Sequence, residues 1–417
     1  MSLNQGGVFL KMKIPLSKPD IGETEITNVV EVLRSGRLSL GPKVEEFEQK
    51  FAFYAGTKYA VATNSGTSAL HLGVRALGIG PDDEVITTPF SFVASTNCIL
   101  YESAEPVFVD IDPVTMNLDV AQLRRFLEEF CTYDSRVGML LNKETGRVVK
   151  ALLPVHVFGL PSDMTAICEL ARHYNLRVIE DACEALGAEH HGRRVGTFGD
   201  VAVFAFYPNK QMTTGEGGML VTNSEAIANL CRSLRNQGRD NNTAWLSHGR
   251  LGYNYRLSEL HSALGIAQLE RIDELLASRE RVAESYKQAL ARVPYLILPQ
   301  ESAGNRRSWF VFVVQLDVPD PRAMRDRIMK TLRERGIECQ AYFPAIHTQP
   351  YMAAYVTAPL GLLKNTELAS DRSLAIPFFP SMSSEEITVV ARTLESVMGE
   401  EISPQEAGLG KSATGLS

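Results

Sequence analysis

The stretch Phe204-Ala205-Phe206-Tyr207-Pro208-Asn209-Lys210-Gln211-Met212-Thr213-Thr214-Gly215-Glu216-Gly217-Gly218 decides how this chain reads. The run before it, Val201-Ala202-Val203-Phe204, is apolar, β-branched and aromatic, the composition of a buried strand. The glycines that close it mark backbone that turns sharply and lets another group approach closely. One lysine therefore lies between the end of a strand and a glycine-rich turn. A Schiff-base lysine needs such a place, because a walled-in ammonium loses its proton more easily and becomes a nucleophile.

Outward from this stretch, short β-branched runs alternate with helical patterns over residues 57–225. Val61-Ala62-Thr63 precedes an amphipathic segment at 68–77, and Glu84–Thr87 precedes a helix over 91–101. Pro106–Asp110 is a further strand, Ala151–Val157 leads into a helix over 163–174, and Arg177–Glu180 follows. The alternation predicts an α/β fold with a mostly parallel sheet sandwiched by helices. Ligands of such sheets bind at the carboxyl ends of the strands, where Ser65-Gly66-Thr67, Phe92, Asp181 and Lys210 fall. Residues 258–292 read as one long helix capped by Ser258. A smaller α+β unit follows, with a strand over 309–316, a helix over 321–336, the segment 338–344 and a closing helix over 384–398. The predicted division is an N-terminal extension (1–13), a large domain (14–257), a linking helix with a small domain (258–400) and a disordered polar tail (401–417).

The 417 residues suit two units better than one core, and 45% hydrophobic with 22% charged residues is the composition of a globular protein. A formal net charge of -7 and the lack of a basic run speak against a nucleic-acid partner. No apolar run reaches membrane-spanning length. Six cysteines without CxxC spacing are expected as reduced thiols in a cytoplasmic setting, with no metal site.

Three segments join Lys210 in carrying chemistry. Asn64-Ser65-Gly66-Thr67-Ser68 lies between a strand and a helix, and reads either as a plain N-cap or as an anion site built from exposed N–H groups and hydroxyls. Glu180-Asp181 ends an apolar strand. These are solvated loop acids, or else Asp181 pairs with a cationic ring nitrogen and keeps it protonated. An acid on a pyridinium nitrogen and a Schiff-base lysine are what proteins contribute to pyridoxal 5′-phosphate (PLP) chemistry. Asp181 precedes Lys210 by 29 positions (210 − 181), room for one strand and its return. Phe92 offers a flat face for a ring, or core packing.

Read together, Ser65–Leu72, Glu180–Ala188 and the Lys210 segment with its Gly-Glu-Gly-Gly turn resemble the DegT/StrS family of sugar aminotransferases, PLP enzymes of fold type I. Val107–Asp112, Pro154-Val155-His156, Gly252–Leu257 and Phe343–His347 extend the likeness over residues 14–398. The resemblance implies that Lys210 forms the Schiff base and Asp181 holds the pyridine nitrogen. Gly66, Thr67 and Ser68 bind the phosphate, Phe92 stacks on the ring, and Glu184 lies near the phenolic oxygen and the substrate. Asn254 reaches the phosphate from the partner subunit of a homodimer, and His347 belongs to the substrate region or is a structural histidine. Most such proteins carry serine five positions before the lysine, where this chain has Ala205. Residues 131–150 look longer than usual and read as an extra hairpin around an Asn142–Gly146 turn.

The implied reaction moves an amino group from a donor such as glutamate to a keto sugar carried on a nucleotide diphosphate, with the Lys210 amine moving the proton. Glu184 and Thr213–Gly218 look more like members that aminate C4 than C3. A cyclitol or other non-nucleotide keto substrate, and a non-catalytic regulatory protein on the same fold, are the alternatives.

Overall fold

The computed structural model describes residues 13–136, 138–240, 247–355 and 363–402. Except for residue 13 and residues 401–402, the expected N-terminal extension and C-terminal tail lie outside the described residues. Nine strands build the main sheet: β1 (Tyr59–Thr63), β2 (Asp83–Thr87), β3 (Glu105–Phe108), β4 (Cys131–Asp134), β5 (Met139–Asn142), β6 (Val148–Leu153), β7 (Arg177–Asp181), β8 (Val201–Ala205) and β9 (Gly218–Thr222). The main path runs β1-β9-β8-β7-β6-β2-β3.

The five central strands, from β8 through β7, β6 and β2 to β3, are parallel as expected. Beyond them the sheet is antiparallel, because residues 206–217 connect β8 to β9 without a helix to carry the chain back across. β1 then pairs antiparallel with β9. The connection that reverses the chain is the Lys210 segment itself.

Both faces of the sheet are covered, so its strands read as continuous apolar runs. On one face the helices Gly66–Ala76 and Glu225–Arg235 pack Leu70, Leu72, Cys231 and Leu234 against Val203 and Leu220. On the other, Pro42–Ala55 and Glu259–Glu270 bring Phe47, Phe51 and Ile266 onto Phe204 and Phe206. The four phenylalanine rings meet at centroid distances of 5.3 to 6.0 Å, mostly edge to face.

A second, antiparallel sheet contains β10 (Leu296–Ile297), β11 (Phe312–Leu316), β12 (Gln340–Ala341) and β13 (Ser373–Ile376) in the order β10-β11-β13-β12. Its core joins Phe312 to Tyr286, Ile328, Leu332, Val390 and Leu394 from the helices Ile272–Leu290, Pro321–Glu334 and Ser384–Glu401. Ile14 belongs to this core too, and pairs with Ile337.

The single helix expected over 258–292 is two helices, Glu259–Glu270 and Ile272–Leu290. Ser258 caps the first, its hydroxyl accepting the His261 N–H. The break falls at Arg271, with φ −113° and ψ 19°. Its guanidinium is held by Asp20 (2.8 Å) and Glu25 (3.2 Å) beside the first unit, while the helix beyond turns into the second core. The apolar stripe runs across the break: Ile272 and Leu276 still pack on the first unit's core, and Val282, Tyr286 and Leu290 further along enter the second.

The hairpin expected near Asn142–Gly146 is present: Gly146 donates its N–H to the Asn142 carbonyl at 2.8 Å, and β5 pairs antiparallel with β6. β4 adds a further strand on β5. Asn142 Nδ2 (2.9 Å) and Thr145 Oγ1 (2.6 Å) donate to the buried Glu84 carboxylate. This insertion joins the start of β6, away from the carboxyl ends of the strands.

Candidate active site

At those carboxyl ends lies a cavity of about 470 Å³, lined by Gly66, Thr67, Phe92, Ser95, Asp181, Cys183, Glu184, Ala205, Asn209, Lys210 and Glu216 from the first sheet, and by Phe310, Tyr342 and Phe343 from the second unit. Each group arrives by a local rule. Ser65 caps the helix that follows β1, its hydroxyl accepting the Ser68 N–H at 3.1 Å, and its carbonyl accepts the Ala69 N–H. The amides of Gly66 and Thr67 are therefore the ones this helix start leaves for an anion. A side chain at Gly66 would stand 2.7 Å from the Ala205 Cβ, and one at Gly218 would stand 2.4 Å from the Ser65 carbonyl oxygen. The turn closes because both positions are glycine.

Asp181 ends β7 and is nearly buried. Ser95 Oγ donates to its Oδ2 at 2.6 Å, and the Cys183 N–H to its Oδ1 at 3.1 Å. A carboxylate held this way has a fixed direction toward the cavity and two of its acceptor positions already filled. Glu184 follows on the same loop, accepting the Phe158 N–H at 2.9 Å. Its other oxygen is 3.7 Å from Lys210 Nζ. Burial pushes the Glu184 carboxyl above its ordinary value, against the opposing pull of Lys210 and the Phe158 amide.

Lys210 Nζ lies 4.1 Å over the Phe310 ring, a cation–π contact with a residue of the second unit. Phe92 lines the same cavity with 59% of its surface exposed, unlike the packed core residue its sequence also allowed. Asn209 Nδ2 donates to Tyr342 Oη at 3.3 Å, and burial pushes that phenol up to about 12, so it stays protonated.

Three expected residues stand outside this chain's cavity lining. Ser68 donates its hydroxyl to Asn64 Oδ1 at 2.7 Å and serves the cap. His347 is turned inward, its Nε2 3.2 Å from Glu367 Oε1 and its Nδ1 buried without a partner among the described residues. Asn254 is exposed between Tyr253 and Tyr255, whose rings stack at 4.9 Å. Tyr253 Oη donates to Glu102 at 2.9 Å, and Tyr255 Oη lies 3.0 Å from His71 Nδ1. The loop carrying Asn254 is thus anchored to the helix that begins at Gly66. Ser95, Phe310 and Tyr342 were not legible as site residues. Ser95 alone had a local signal, one helical turn beyond Phe92.

A helix-flanked mixed sheet, a second antiparallel sheet and a lysine-bearing cleft where the two units meet define a fold type I PLP-dependent aminotransferase. The chain belongs to the DegT/DnrJ/EryC1/StrS aminotransferase family, whose sequence model matches residues 19–395. It is 39% identical over 389 residues to GDP-perosamine synthase of Caulobacter vibrioides, covering 93% of this chain and 98% of that protein. It is 36% identical over 395 residues to the spore coat polysaccharide biosynthesis protein SpsC of Bacillus subtilis, covering 92% and 97%. Among solved structures, DesV of S. venezuelae superposes with a TM-score of 0.81 at 32% identity, covering 92% of this chain and 98% of that one. PseC of Helicobacter pylori, an aminotransferase involved in pseudoaminic acid biosynthesis, gives 0.82 at 26% identity, covering 93% and 100%. The protein is a PLP-dependent enzyme of a sugar aminotransferase family, which sets the non-catalytic reading aside. Among the described residues no cluster suits a metal ion and no helix is long and apolar enough to cross a membrane.

Proposed function

We propose that this enzyme transfers an amino group from glutamate to a keto sugar carried on a nucleotide diphosphate, at C4 in preference to C3. The observation that carries the reading is the gathering of Lys210, Asp181, Glu184, Phe92 and the open Gly66–Thr67 amides around one cavity. These groups fit PLP: the helix start suits its phosphate, Phe92 its ring face and Asp181 its ring nitrogen. When bound, the cofactor supplies an electron sink that acidifies the α-carbon of the amino donor.

The chain's own groups then have separate tasks. Lys210 Nζ takes and returns the α-proton as general base and acid. Asp181, oriented by Ser95 and the Cys183 amide, holds a proton on the ring nitrogen. Glu184, which burial inclines to keep its proton, donates toward the phenolic oxygen. Asn254 acts on the partner subunit's phosphate, which makes the homodimer the working unit; its exposure on this chain supports that. We assign a large cofactor-binding unit to 14–257 and a smaller unit to 258–400: apart from Ile14, the second core is built from residues 282–398, while a further core joins the two units, and the helix Glu259–Glu270 packs on the first. Six unpaired cysteines support a reducing, cytoplasmic setting.

The nucleotide-sugar assignment is supported by likeness to a GDP-perosamine synthase. A panel of 4-keto and 3-keto nucleotide sugars with glutamate, followed by NMR of the product, tests it. Lys210→Ala should lose both the visible absorption of the cofactor-loaded protein and turnover. Transamination by that variant would refute the lysine assignment, and amination of only a cyclitol or free keto compound would refute the substrate class.

A further inference from the structure

A buried guanidinium lies behind the lysine. Arg279, on the helix Ile272–Leu290, is 2% exposed. Its Nη2 donates to the carbonyl of Lys210 at 2.6 Å and its Nη1 to the carbonyl of Phe310 at 3.2 Å. Phe310 is the residue whose ring lies under the Lys210 amine. One side chain from the second unit therefore grips both the peptide that bears the amine and the peptide that bears its platform.

Nothing in stability alone calls for a charge here. Among the described residues Arg279 has no carboxylate partner within salt-bridge distance, and its Nε lacks any partner. The Phe378 ring, 5.8 Å from the guanidinium carbon, gives only a distant π contact. Burial lowers the guanidinium to about 9, which still leaves it charged at neutral pH. Replacing such a buried charge by an apolar side chain of similar size is often neutral or stabilising. A costly cation bonded to these two carbonyls fits a site that sacrifices stability for geometry.

We propose that Arg279 is a positioning residue that locks the Lys210 peptide to the Phe310 peptide, holding the amine over the ring for proton transfer and tying its position to the second unit. The inference rests on Lys210 being the cofactor-bearing lysine. Borohydride reduction of the loaded wild-type enzyme and peptide mapping test that first: a label elsewhere overturns the lysine assignment and this inference with it.

With Lys210 labelled, Arg279→Met and Arg279→Lys are compared in a single-turnover reaction with glutamate. The methionine variant should retain its melting temperature and full PLP stoichiometry. Its rate at saturating glutamate should fall about ten-fold or more, with the half-saturating concentration within about two-fold of wild type. PLP uptake by its apoenzyme, followed at the visible band, should slow similarly. Arg279→Lys, keeping a charge and one carbonyl contact, should recover part of both rates. A methionine variant within two-fold of wild type, or one whose loss only tracks lost fold or lost cofactor, overturns the proposal. If the methionine variant does not fold, the lysine variant decides: about a three-fold or greater slowing at full occupancy supports positioning, and an unchanged rate overturns it.

Discussion

Ala205→Ser is expected to tighten PLP binding. Ala205 ends β8 and lines the cavity directly beside the helix start, close enough that a Cβ on Gly66 would stand 2.7 Å from its methyl group. A hydroxyl at that position can donate to an anion held by the Gly66 and Thr67 amides. A hydrogen bond to a charged group contributes about 1.5–3 kcal/mol. Fixing the serine rotor and crowding the turn takes back up to about 1 kcal/mol. The net gain of about 1–2 kcal/mol lowers the Kd for PLP roughly 5- to 30-fold. Titration of apoenzyme with PLP, followed by visible absorption and checked by equilibrium dialysis, measures it. A folded serine variant that binds PLP no tighter than wild type would place the phosphate away from Gly66–Thr67 and sink the reasoning.

Other perturbations probe the remaining groups. Glu184→Gln keeps an acceptor for the Phe158 N–H and removes the buried charge. Because burial raises the Glu184 carboxyl, its contribution to stability is complete below the unfolded carboxylate range and is lost as pH rises through the folded value. The melting temperature of apo Glu184→Gln should therefore gain on wild type as pH rises from 4 to 8, on the order of a few degrees; a gain that shrinks with pH would contradict the burial argument. Ser95→Ala removes the 2.6 Å hydrogen bond to Asp181 Oδ2, leaving the Cys183 amide on the other oxygen, and should lower kcat/KM about ten-fold while the protein stays folded and PLP-loaded. Undiminished kcat/KM would show that the carboxylate needs no such support. In the proposed homodimer, Lys210→Ala and Asn254→Ala should each lose activity, and mixing them should recover up to roughly a quarter of the wild-type level, since half the dimers are then mixed and each holds one intact site. Absence of recovery, with mixed dimers shown to form, would place Asn254 outside the partner's site.

Much of this enzyme was legible from local pattern. Strand ends followed by glycine-rich or hydroxyl-rich turns located Gly66, Thr67, Asp181 and Lys210, because backbone that must turn or approach a ligand constrains its own residue types. The hairpin near Asn142–Gly146 was legible for the same reason. The break in the long helix was not, because the apolar stripe continues across it through Ile272 and Leu276, and two of the carboxylates that hold Arg271, Asp20 and Glu25, come from near the start of the chain. The antiparallel edge was missed because direction depends on whether a connection crosses the sheet, which apolar runs do not encode.

The sequence by itself determined the α/β core and the groups able to bind an anion, a cationic ring and a carbonyl carbon, since those properties belong to residue type and local backbone. Tertiary structure alone decided their company: Ser95 on Asp181 across 86 positions, Phe310 under the Lys210 amine, and Arg279 on the Lys210 carbonyl across 69. It also turned the Ser68 hydroxyl onto Asn64 and left Asn254 outside its own chain's cavity. Such contacts follow from how two units dock across a shared core, and docking depends on the shapes of whole surfaces, which no short stretch of chain contains.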